Sequence, residues 1–167
     1  MDLNHYKAMC QYNQWMNEKI YKVCSGLSDE ERKKNRLAFF KSIHGTLNHI
    51  LLADLVWISR LEVLPFQIKS LDQELYSDFN ELQENRMHLD EKIIKLIDSY
   101  TNLDLTRILS YKGIANPKPR QYPIWFVLSH FFNHQTHHRG QITTLLSQMG
   151  LDIGSTDLLM LPDFQNE

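Results

Sequence analysis

Residues 39–61 read as a helix with no face to spare for water. Phe40, Ile43, Leu47, Leu51, Ile58 and Leu61 form one apolar stripe at helical spacing. Gly45, His49, Leu52, Ala53 and Val56 form a second, nearly opposite. A helix apolar on two sides must be covered on both. Either the rest of the chain wraps it, or one face is an interface with a second copy; the residues alone allow both.

The surrounding sequence supplies partners of the same kind. Tyr6, Met9, Met16, Ile20 and Val23 predict a helix from about Asp2 to Ser25, ended by Gly26. Ser28-Asp29-Glu30-Glu31 is a capping box, so a short helix should start there. Pro65 breaks the central pattern. A third long helix is expected from about Leu71 to Tyr100, with Leu75, Phe79, Leu82, Leu89, Ile93, Leu96 and Ile97 inward. Glu81, Glu84, Arg86, Glu91, Lys92 and Lys95 read as its solvated side.

Residues 103–122 break the helical period. Leu105 to Tyr111 alternates polar and apolar, Gly113 and Asn116-Pro117 mark a turn, and Arg120-Gln121-Tyr122 returns. A small two-stranded ribbon is expected. Pro123 suits the first turn of a last long helix, which runs to about Met149 and stops at Gly150. The tail holds at most a short turn around Thr156–Met160. The expectation is one all-α domain over 1–167, a four-helix bundle with a ribbon between its third and fourth long helices.

Composition narrows the function. The formal net charge is -2, and Lys33-Lys34 with Arg32 and Arg36 is only a short cluster, so no nucleic-acid partner is expected. The polar start Met1-Asp2-Leu3-Asn4-His5 lacks the apolar core of a secretory leader. No apolar run nears the roughly 18 residues of a membrane span. Cys10 and Cys24 would lie about 21 Å apart along one helix, too far to bridge. Reduced thiols and a cytoplasmic location are the expectation.

The chemistry concentrates in the last long helix. His130, His134, His137 and His138 lie within one short stretch. On a helical wheel, Val127, Phe131, Ile142, Leu145 and Met149 fall within about 40° of His138, which makes that the core side. His134 lies about 40° to one side, whereas His130 and His137 fall about 80–100° away. His134 and His138 are therefore the pair that can stack on one face and grip one ion. A buried hydrogen-bond network would satisfy the same two rings. His49, flanked one turn away by Gly45 and Ala53, is the candidate third ligand; taken alone it reads as a core histidine bonded to a neighbouring helix. His44 falls about 140° from His49 and cannot share its site. Asp54 lies on the Leu47 side and receives no catalytic role. Gln141, one turn beyond His138, suits either a supporting hydrogen bond or an ordinary polar flank. Arg139 and Gly140 read as packing residues, and Trp15 and Trp57 as core aromatics.

In this order and spacing, the motifs resemble the DinB family of four-helix-bundle metalloproteins over nearly the whole chain. The resemblance rests on Tyr12-Asn13-Gln14-Trp15-Met16-Asn17, Phe39 to His49, Asp54-Leu55-Val56-Trp57, His130 to Gln141 and Thr156-Asp157-Leu158. It implies an up-down-down-up bundle and a metal triad of His49, His134 and His138. At His137 the family more often has an aromatic residue. The resemblance, with the two-faced second helix, favours a homodimer. Some relatives are thiol-dependent transferases, so it implies a low-molecular-weight thiol or other small-molecule substrate, and either an S-transferase or a hydrolase. A metal-binding bundle without catalysis, serving a stress response, is the alternative. Three neutral imidazoles suit a divalent transition metal, Zn or Ni ahead of Fe, Mn or Cu, and leave coordination positions open.

Overall fold

The computed structural model describes residues 2–114 and 116–164. Four long helices carry it: α1 (Leu3–Ser25), α3 (Ile43–Leu61), α4 (Phe79–Asp98) and α5 (Ile124–Gln148). The short α2 (Asp29–Lys33) lies between the first two. Strands β1 (Ile108–Lys112) and β2 (Pro119–Pro123) pair antiparallel, Ile108 opposite Pro123 and Lys112 opposite Pro119.

Side-chain caps start four of these helices. Asp2, Ser28, Ser42 and Asp78 accept from the backbone N–H groups of Asn4, Glu31, Gly45 and Glu81. Such caps satisfy N–H groups that the helix leaves orphaned. They also correct two expected starts. The second long helix begins at Ile43 rather than Phe39, because residues 38–41 close a tight turn before Ser42. Leu37 and Lys41 there have φ of 58° and 67°, a region costly for residues with a Cβ. The third begins at Phe79 rather than Leu71, because side chains of α3 hold the preceding backbone in turns and bends outside the helix. Asn48 Oδ1 accepts from Leu75 N at 2.8 Å and Tyr76 N at 3.0 Å, and Asn48 Nδ2 donates to Tyr76 O at 3.0 Å.

Contacts between helices set their directions. Lys7 meets Asp98 and Tyr21 meets Phe79, so α1 and α4 are antiparallel. Asp54 meets Arg86 and Glu62 meets Lys92, so α3 and α4 are parallel. Trp57 meets His130 and His49 meets His138, so α3 and α5 are antiparallel. Tyr6 donates to Trp125 O and Arg139 to Asn13 Oδ1, so α1 and α5 are parallel. The four run up, down, down, up. Because α3 and α4 are parallel neighbours, the chain needs the long crossover 62–78 to return to the start.

Fourteen of the nineteen residues of α3 are buried. Its two apolar faces are thus both covered within one chain. Across the bundle runs a polar layer fed by every long helix. Arg86 donates to Asp54 at 2.6 Å and Asp90 at 2.9 Å; Asn13 and Asn17 also donate to Asp90, and Gln135 to Asp54. Arg86 is 2% exposed, which overturns its reading as part of the solvated side of α4. It sits four residues after Leu82 and three before Leu89, on the apolar stripe, and two carboxylates make its burial tolerable. The layer's two arginines, Arg86 and Arg139, match its two aspartates, Asp54 and Asp90. Cys10 and Cys24 are free and buried, and burial raises both thiols, Cys24 to about 12.

Candidate metal centre

The antiparallel run of α3 against α5 brings one turn of each face to face. His49 projects from α3, and His134 and His138, one turn apart, project from α5. The Nε2 of His134 lies 3.3 Å from that of His49 and 3.1 Å from that of His138. The ligand atoms of the three all fall within 4.8 Å of one another. Two imidazole nitrogens bound tetrahedrally at ~2.0–2.1 Å from one ion would be about 3.3 Å apart.

The outer nitrogens define the protonation of the inner ones. His49 Nδ1 lies 2.8 Å from the Leu71 carbonyl, which can only accept, so Nδ1 carries the proton and Nε2 is a bare lone pair. His138 Nδ1 stands in the same relation to Gln141 Oε1, at 2.8 Å. The amide of Gln141 is turned by its other end, whose Nε2 lies 3.4 Å from His137 Nε2. His134 Nδ1 is buried and has no hydrogen-bond partner. Two bare lone pairs therefore point at a third ring that can donate one proton at most. A cation would satisfy all three nitrogens; the rings alone cannot do so.

Burial keeps the rings neutral. It pushes His49 down to about 4, against the Leu71 hydrogen bond, with His138 adding to the depression. It pushes His134 down to about 3, and the neighbouring histidines act in the same direction. His138 is lowered by burial too, partly offset by its bond to Gln141. Near neutral pH all three present lone pairs, the form in which histidine binds metals.

Phe40 roofs one side. Its ring stacks on His49 at 3.7 Å and 16°, and meets the edge of His138 at 5.5 Å. Gly45 makes that possible: a Cβ there would collide with the Phe40 carbonyl. Two cavities reach the cluster. One, of about 410 Å³, runs beneath the ribbon to His49 and His134. The other, of about 820 Å³, opens past Phe40 to His49 and His138.

His130 and His137 border the trio without joining it, their rings 6.0 Å from His134 and 4.8 Å from His138. His44 is buried and bonds to Tyr76 O at 2.9 Å. His130 sits against Trp57 on the wall of the smaller cavity. Asp54 belongs to the polar layer. Arg139 is buried there as well, its guanidinium over Tyr12. Gly140 faces open space, so no helix packs closely against it. The sequence placed Phe40 on an apolar stripe but not at the histidines, and gave no sign of the Leu71 carbonyl. The carbonyl comes from a segment read as helix, whose backbone would have been committed to itself.

Fold and cluster together define a four-helix bundle with three histidines gathered between its second and fourth long helices. The whole chain, residues 1–167, matches the DinB family, and it belongs to that family. It is 29% identical over 157 residues to Protein DinB of Bacillus subtilis, spanning 88% of this chain and 87% of that one. Among solved structures it resembles a DinB-like protein from Bacillus cereus, with 25% identity, TM-score 0.61, and 84% and 89% of the two chains covered. It also resembles YfiT from Bacillus subtilis, with TM-score 0.68, 12% identity and 91% of each chain covered. YfiT is described as a probable metal-dependent hydrolase with an unusual four-helix bundle topology.

Proposed function

We propose that His49, His134 and His138 hold one divalent transition metal, Zn or Ni first, and that the chain is a metal-dependent enzyme at that site. The observation that carries this reading is the pair of bare Nε2 lone pairs, on His49 and His138, fixed by Leu71 O and Gln141 Oε1 and aimed at the same point as His134. Hydrogen-bonded outer nitrogens of this kind orient metal-binding histidines and raise their basicity.

With three protein ligands, such an ion would supply Lewis acidity and favour the deprotonated form of a water or thiol presented to it. The chain's own residues do the rest. Leu71 O and Gln141 keep the rings oriented, Phe40 keeps solvent off one flank, and the cavities admit a small molecule from two directions. Hydrolysis and thiol-dependent S-transfer both use a nucleophile generated in this way. The YfiT description favours hydrolysis, and the family resemblance favours a low-molecular-weight thiol.

Elemental analysis of tag-free protein beside His138→Ala tests the reading. About one equivalent of transition metal, lost in the variant, supports it. Wild-type protein that takes up neither Zn nor Ni sinks it. Hydrolysis and thiol-transfer assays on the loaded chain then separate an enzyme from a bundle that only stores the ion.

A further inference from the structure

The smaller cavity carries a positive charge that no carboxylate among the described residues answers. Its walls are largely aromatic, with Trp57, Tyr111, Tyr122 and Phe126 around it. Two arginines, Arg60 and Arg120, line it, and no aspartate or glutamate does. Among the described residues neither arginine has a carboxylate partner. Arg60 is held firmly: its guanidinium lies 4.7 Å from the Trp57 ring and 4.4 Å from the Tyr111 ring, and it donates to Lys112 O at 3.3 Å. That uses one of its five N–H donors. Arg120 reaches it from β2, passing over Gly113 at the ribbon's tip. Burial lowers Arg60, Tyr111 offsets part of that, and the charge of Arg120, which lines the same cavity, lowers it again.

Like charges brought together over aromatic walls are unfavourable until an anion joins them, and guanidinium forks suit carboxylate and phosphate oxygens. We propose that this cavity binds an organic anion, a carboxylate or phosphate ester on a flat apolar body. Its anionic group lies between Arg60 and Arg120, and its far end faces His49 and His134. The apolar body stacks among Trp57, Tyr111 and Tyr122. A cavity of about 410 Å³ suits a molecule of metabolite size. Only the orientation of the far end rests on the metal reading; the anion site stands on the arginines.

Calorimetric titration of the full chain, with and without one equivalent of Zn, tests this with four probes of one shape: benzoate, phenyl phosphate, benzamide and benzylamine. The expected result is binding of one or both anions at least about tenfold tighter than benzamide, with benzylamine rejected. Benzoate alone identifies a carboxylate site, and phenyl phosphate alone a phosphate site. Arg60→Gln and Arg120→Gln should each remove most of that preference. Arg120 is exposed, so its variant tests the site even if Arg60→Gln disturbs the Trp57–Tyr111 packing. Equal binding of benzamide, no anion binding, or a preference that survives both substitutions overturns the proposal. Anion binding that needs Zn and ignores both arginines also overturns it. Arginine-dependent binding in a chain that takes up no metal upholds this proposal while sinking the metal reading.

Discussion

Gln141 lies outside the histidine trio, yet it decides which nitrogen of His138 carries the proton. Gln141→Leu keeps the bulk and loses the acceptor. Metal affinity should fall about 10–100-fold, read by competition with a chromophoric chelator, while the melting temperature of the metal-free chain moves little. His134 gives a pH prediction. Its folded-state pKa lies below the ordinary 6.5, so the unfolded chain binds the proton more readily, and acid favours unfolding. The stabilising effect of its neutral form is present above about pH 6.5 and is lost as pH falls toward about 3. Burial raises Asp54 to about 6, which works in the opposite direction between about pH 4 and 6. The prediction is therefore a difference. In chelator, urea midpoints of wild type minus His134→Ala should shrink from pH 7 to pH 5. A constant gap would mean that His134 is not held neutral by burial.

At the scale of elements, the crossover 62–78 hangs on three side chains of α3: His44, Asn48 and His49. Asn48 provides most of the hooks. Asn48→Ala would strip the half-buried Leu75 N and Tyr76 N of their acceptor and leave Tyr76 O with His44 alone, at a cost of about 1–3 kcal/mol, measured by urea denaturation. Arg86→Met is the harsher change. It strands Asp54 and Asp90 in the interior, a loss of about 3–5 kcal/mol; a variant as stable as wild type would show that the polar layer does not depend on its arginine. These elements also show where the sequence stopped speaking. The ribbon was legible because Gly113 and Asn116-Pro117 punctuate an alternating pattern. The crossover was not, because Leu71 and Leu75 keep a helical spacing with Phe79 and Leu82, and tertiary hydrogen bonds from His44, Asn48 and His49 keep that backbone out of the helix. Arg86 was misread because its charge was weighed above its place on the stripe. Of the site, the histidine trio was legible from the wheel and the family's motifs. Phe40 was not, since its position depends on two residues at positive φ that no local pattern announces.

For the whole molecule, the up-down-down-up order places α3 inside its own chain, and no helix is long and apolar enough to cross a membrane. Both faces of α3 are already covered, so the two-faced helix no longer argues for a second copy, and a homodimer of the kind the family resemblance implies would have to use another surface. Light scattering on the purified chain should then read twice the chain mass. The order also makes the long crossover 62–78 part of the histidine cluster, through one carbonyl. Leu71 O fixes the His49 ring, so whatever His49 holds, residue 71 helps to hold. Ion occupancy and crossover order are then thermodynamically linked, each strengthening the other by the same free energy. Amide protons at Leu75 and Tyr76, which bond Asn48 rather than the histidines, should exchange with deuterium more slowly once the ion is bound. Loosening the crossover by shortening it should, in turn, raise the rate at which the ion is lost. A segment that looks like mere connection thus acts as a latch whose spring is one histidine ring.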